Sequence, residues 1–139
     1  MLIKPSLFLF LFLSQIAISQ EKDFNLPNLG DRVSGVISLE QERMLGQGFL
    51  EQVYAQAPLI NDPIIQEYTE LLIYRLSETS QVKDRQFTIV LIDEKSLNAF
   101  AAPGGVIGVN GGLFLNAGNE AQLASVLGHE LAHLSQRHF

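Results

Sequence analysis

Residues 119–139 read NEAQLASVLGHELAHLSQRHF. Asn119 followed three positions later by Gln122 has the spacing of a reciprocal helix cap, so a helix opens there and its pattern carries to the end of the sequence. Within it His129, Glu130 and His133 form an HExxH pattern. Residues four apart on a helix lie about 40° apart around the axis and one turn along it, so both imidazoles reach a single ion. Glu130 projects about 100° from His129 and about 60° from His133, too far round to ligate but close enough to touch a water on that ion. Its expected role is general base. Zinc suits the pair, because it takes imidazole nitrogens at about 2.0–2.1 Å, keeps one position open and lowers the pKa of water to roughly 7. His138 sits nine positions after His129, which on an uninterrupted helix turns it to the opposite face. Asp93, Glu94 and Glu120 could add a carboxylate only through tertiary contacts, and each has a simpler reading as a turn or first-turn residue.

Upstream, Leu97–Gly112 reads LNAFAAPGGVIGVNGG and holds Gly104, Gly105, Gly108, Gly111 and Gly112 of the eleven glycines. Its apolar pieces, Ala99–Ala101 and Val106–Val109, are too short for helices, so they read as two strands joined by a Pro-Gly-Gly turn. Pro103 cannot donate to a ladder, which sends the first strand to a sheet edge. Gln86–Ile92 (QFTIVLI) is short, β-branched and aromatic, and reads as a strand buried on both faces.

Two helices precede these strands. Asp62 and Pro63 form an N-cap and a first-turn proline, so a helix runs from Pro63 to about Ser77 with Ile64, Tyr68, Leu71, Leu72 and Arg75 set against Gln66, Glu67 and Glu70. Ser38 and Gln41 have capping-box spacing, and a helix from about Leu39 to Ala57 carries the stripe Leu45, Phe49, Val53, Ala57 before Pro58 stops it. Gly46 and Gly48 weaken its propensity. Residues 20–37, with Pro27, Gly30 and Gly35, read as an extended lead-in.

Residues 1–19 do not belong to the fold. Lys4, the apolar run Leu7–Leu13 and the small residues Ala17 and Ser19 before Gln20 have the layout of a cleavable secretory signal peptide. Ser14 and Gln15 interrupt the run well short of the ~20 apolar residues a membrane span needs. The domain reading is therefore 1–19 signal peptide and 20–139 folded part, placed outside the cytoplasm.

Composition narrows the chemistry. The 139 residues carry nine Lys and Arg against fifteen Asp and Glu, a formal net charge of −6, with no Cys. Nucleic-acid affinity comes largely from basic residues displacing counterions, so no nucleic-acid partner is expected. Without cysteine there is no disulfide framework, thiolate metal site or cysteine nucleophile. A metal site must use His, Asp and Glu.

Together NEAQLASVLGHELAHLSQRH, LNAFAAPGGVIGVNGGL and the upstream APLINDP resemble the M48 family of metallopeptidases, in particular its exported periplasmic branch that enhances β-barrel assembly. The resemblance spans Leu26–Phe139. It implies an α+β, zincin-like metallopeptidase domain (its N-terminal part), with helices packed on a small sheet beside an HExxH active-site helix. It also implies one zinc ion per domain held by His129 and His133, Glu130 as general base, and an edge strand at Asn98, Ala99, Phe100 and Ala101 on which an extended substrate lies. An exposed edge offers unpaired N–H and C=O groups to any extended chain, which supports that last role independently. The family's third zinc ligand is a glutamate on a later helix, expected beyond residue 139, so the chain reads as truncated after the HExxH helix, with one face of its sheet uncovered. The substrates implied are unfolded or misassembled envelope proteins, with the outer-membrane assembly machinery as a partner. The alternative is a non-catalytic, chaperone-like polypeptide-binding module that uses the same edge.

Overall fold

The computed structural model describes residues 37–139. The signal peptide expected at residues 1–19 and the lead-in expected after it, up to residue 36, lie outside the described residues. In chain order the elements are α1 (Leu39–Gln56), α2 (Pro63–Ser77), β1 (Thr88–Ile92), β2 (Ala99–Ala102), β3 (Val106–Asn110), α3 (Gly111–Asn116) and α4 (Glu120–Gln136), a mixed α+β arrangement. The strands form one sheet in the order β1-β3-β2, with β1 parallel and β2 antiparallel to the central β3.

Local chemistry sets the helix starts. Ser38 and Gln41 cap each other reciprocally at α1. The Asp62 carboxylate accepts from the Ile64 and Ile65 N–H groups at α2, where Pro63 has no donor to leave orphaned. At α4 the Asn119 side chain accepts from the Gln122 N–H, while the Gln122 side chain reaches back one residue further than expected, to the Gly118 N–H. A 3₁₀ turn at Pro103–Gly105 joins β2 to β3, with Gly104 at φ 74° and Gly105 at φ 77°. Only glycine enters that region without steric cost.

The sheet is covered on both faces, contrary to the expectation of a bare face. Ile89 and Leu91 of β1, Ile107 and Val109 of β3 and Ala99 of β2 join Leu72 and Ile73 of α2, Leu113 of α3 and the α4 leucines in one core. Alternate residues point the other way: Val90, Ile92, Val106 and Ala102 pack with Phe49 and Val53 of α1. α1 supplies the cover on that face.

The contact face of α1 differs from the expected stripe. Leu45 is exposed, whereas Glu42, Gly46, Phe49 and Val53 are buried. The helix is centred on Gly46 because it crosses the 3₁₀ turn at backbone distance, and a Cβ there would overlap the Pro103 carbonyl. A similar rotation holds for α2, where Thr69, Leu72 and Ile73 are buried and Ile64 and Leu71 face outward. The short α3 opens on Gly-Gly, a pair of poor helix formers that carries no helix signal in the sequence.

The two sheet edges differ. On β1 the Ile60 N–H donates to the Leu91 carbonyl at 3.0 Å, the Asp93 N–H donates to the Pro58 carbonyl at 2.8 Å, and the Gln66 amide caps the Ile89 carbonyl at 3.1 Å. Among the described residues no backbone segment pairs with the outer edge of β2.

Candidate active site

α4 lies beside β2 and seats itself through Leu123, Leu127, Leu131 and Leu134, a stripe at helical spacing. That burial sets how far the next face is turned. His129 is exposed, His133 half-buried and Glu130 buried. The Nε2 atoms of His129 and His133 stand 3.0 Å apart, and the rings meet nearly edge to face, 89° between planes. Two nitrogens on one zinc at about 2.0–2.1 Å and a tetrahedral angle would be roughly 3.3 Å apart, so the pair fits a shared ion after a small opening.

Burial pushes the Glu130 carboxyl above the usual carboxylate range, against the opposing pull of His133, then His129, then the Ala101 backbone N–H. A carboxylate raised in this way holds a proton more readily than a solvated one, a property useful in an acid–base group.

The Ala101 N–H faces Glu130 because of strand alternation. The Asn110 N–H donates to the Asn98 carbonyl at 3.0 Å, so the backbone groups of Phe100 and Ala102 also turn toward β3. Those of Ala99 and Ala101 turn to the open edge. Of the four residues expected along the substrate strand, then, Ala99 and Ala101 offer backbone groups outward, whereas Asn98 and Phe100 are engaged with β3. The Phe100 ring lies over Gly108 and meets Phe49 edge to face at 5.8 Å, inside the α1 core.

The placement of His138 corrects the helical extrapolation. α4 ends at Gln136, and Arg137 takes a left-handed backbone (φ 54°, ψ 41°), so the rotation per residue no longer applies. The His138 ring centroid lies 6.5 Å from that of His133 rather than on the far side. Among the described residues no group of three His, Asp or Glu side chains gathers around one point. Asp93 and Glu94 stay in their turn, and Glu120 is held by the Tyr68 hydroxyl and Arg75. The Ala101 contact to Glu130 and the grip on Glu120 both join residues distant in sequence, and no local signal marks either.

A family model, "Peptidase family M48", matches residues 63–139. The chain belongs to peptidase family M48. Over 122 residues it is 37% identical to the "Putative beta-barrel assembly-enhancing protease" of Vibrio cholerae, covering 88% of this chain and 25% of that protein. It is 38% identical over 113 residues to the "Beta-barrel assembly-enhancing protease" of Escherichia coli, covering 81% of this chain and 23% of that one. A more distant likeness, 28% over 105 residues, is to the "Metalloendopeptidase OMA1, mitochondrial" of Danio rerio, with 70% of this chain and 22% of that one covered. The M48 chain thus spans about a quarter of the length of these curated relatives.

Proposed function

We propose that this M48 chain carries the zinc-binding and general-base portion of a zincin-like metalloendopeptidase, exported by residues 1–19 and acting in the periplasm. The observation that carries the reading is the pair of imidazole nitrogens 3.0 Å apart with a buried carboxylate next to them on the same helix. His129 and His133 would hold one zinc, with a third protein ligand from beyond residue 139. When bound, zinc supplies Lewis-acid polarisation and a water acidified to roughly neutral pKa. Glu130 accepts a proton from the attacking water and returns it to the leaving amine, a transfer favoured by its raised pKa. The outward backbone groups of Ala99 and the Ala101 carbonyl, the Ala101 N–H being taken by Glu130, hold an extended peptide alongside, which leaves sequence preference low.

The names of the relatives support unfolded or misassembled envelope proteins as substrates and the outer-membrane assembly machinery as the setting. A chaperone-like binding module would need only the edge of β2. Glu130, buried and within electrostatic reach of both imidazoles, favours the peptidase.

The test uses the full-length gene product with an unfolded polypeptide as substrate and metal analysis alongside. Glu130→Gln should abolish cleavage and retain zinc, whereas His129→Ala should lose both. Zinc loss in Glu130→Gln would move that carboxylate into the coordination shell, and retained cleavage in either variant would end the proposal.

A further inference from the structure

His133 lies only three residues before the end of α4, within the turn where helices fray. Its 3.0 Å approach to His129 depends on that turn staying helical. The structure holds the turn from outside. Arg137 leaves the helix in the left-handed region, which glycine enters freely and arginine does not. Its backbone N–H and that of His138 both donate to the His133 carbonyl.

The Arg137 side chain reaches across to the start of α1. Its Nη2 donates to the Ile37 carbonyl at 2.8 Å and stands 3.0 Å from Glu42 Oε2, while its Nε donates to Glu42 Oε1 at 3.3 Å. The Glu42 side chain is 8% exposed, so this ion pair is far more buried than Arg43–Asp84 or Arg75–Glu120. A two-pronged guanidinium–carboxylate contact fixes direction as well as distance. Glu42 is itself fixed on the α1 face that crosses the 3₁₀ turn.

We propose that Arg137 and Glu42 are positioning residues for the metal-binding pair: their contact locks the last turn of α4 against α1 and thereby keeps His133 facing His129. This rests on the zinc reading above. Neither side chain touches the ion; each acts through the His133 backbone.

The test measures zinc affinity of the 139-residue chain by competition with a chelating dye. Arg137→Gly keeps a residue that suits the left-handed backbone and removes only the side chain, and Glu42→Gln keeps shape and removes charge. Each should weaken zinc binding by about 10-fold, the low end for groups that orient a metal ligand. Arg43→Ala, which breaks an exposed pair on the same helix, should leave affinity unchanged. Wild-type affinity in both Arg137→Gly and Glu42→Gln overturns the proposal. If His129→Ala binds zinc as the wild type does, the zinc reading itself fails. The latch is then decided by ring-proton NOEs between His129 and His133 in the metal-free chain. Loss of those NOEs in Arg137→Gly upholds the latch, and their retention overturns it.

Discussion

Gly46 in α1 and Pro103 in the turn after β2 approach so closely that a side chain at Gly46 would overlap the Pro103 carbonyl. Two residues further on, Gly48 has open space around it. Gly46→Ala should therefore destabilise the chain by about 2 kcal/mol or more, because neither backbone can give way. Gly48→Ala should stabilise it by about 0.5–1 kcal/mol through helix propensity alone. Urea denaturation of the two variants checks the opposite signs.

A second steric relation is relievable. A Cβ on Gly108 would run into the Phe100 ring, which is a side chain. Gly108→Ala should cost about 1–3 kcal/mol, and its cost should fall sharply when combined with Phe100→Ala. The double-mutant cycle in urea measures that coupling; additive costs would mean that the cost of Gly108→Ala does not come from the Phe100 ring.

Glu130 gives a pH dependence with a definite sign. Burial raises its folded pKa above the unfolded value, so the folded state binds the proton more tightly and the associated stability is lost as pH rises through the folded pKa. In the metal-free chain at pH 7, Glu130→Gln should raise Tm by roughly 2–5 °C, since the ionised carboxylate no longer has to be buried. The difference should close as pH falls below the ordinary carboxylate range. Thermal melts at pH 7 and pH 4 read both limits.

Proline scanning of β2 tests the alternation of its backbone. Ala99→Pro removes a donor that faces the open edge and Ala101→Pro one that faces Glu130, and neither belongs to the β2–β3 ladder, so the fold should survive by circular dichroism. In the full-length protein Ala99→Pro should lower cleavage of unfolded chains by about 10-fold or more, a loss of about 1.4 kcal/mol in transition-state binding. Phe100→Pro removes a donor to β3 together with a core ring, and should cost about 3 kcal/mol or more. Equal tolerance at all three positions would contradict the register.

Much of this was legible because it is local. Ser38 with Gln41, Asp62 with Pro63 and Asn119 with Gln122 each specify a helix start within four residues, and the Pro-Gly-Gly turn specifies the hairpin. HExxH spacing is likewise a property of one helix. What escaped depends on other parts of the chain. The face α1 buries is decided by a backbone crossing at Pro103, which made Leu45 an outward residue although its spacing matched the apolar stripe. His138 was misplaced because the helix stops at Arg137, where an arginine in a glycine-like conformation gives no sequence cue. The contact of Ala101 with Glu130 joins residues 29 positions apart, and only the β2–β3 register turns that N–H toward the helix.

The order β1-β3-β2 also sets an expectation for the sequence of events during folding. β2 and β3 are joined by three residues and close a short loop, whereas β1 must reach β3 in parallel across the intervening β2 segment, a larger loop-closure cost. The hairpin is therefore expected to form first, with its turn as the surface on which α1 docks, since Gly46 rests on Pro103 in the folded chain. Substitution of Gly105 should slow refolding, while shortening Val53 to Ala should chiefly speed unfolding. Stopped-flow chevrons separate the two, and equal effects of Val53→Ala on both limbs would place α1 in the nucleus instead.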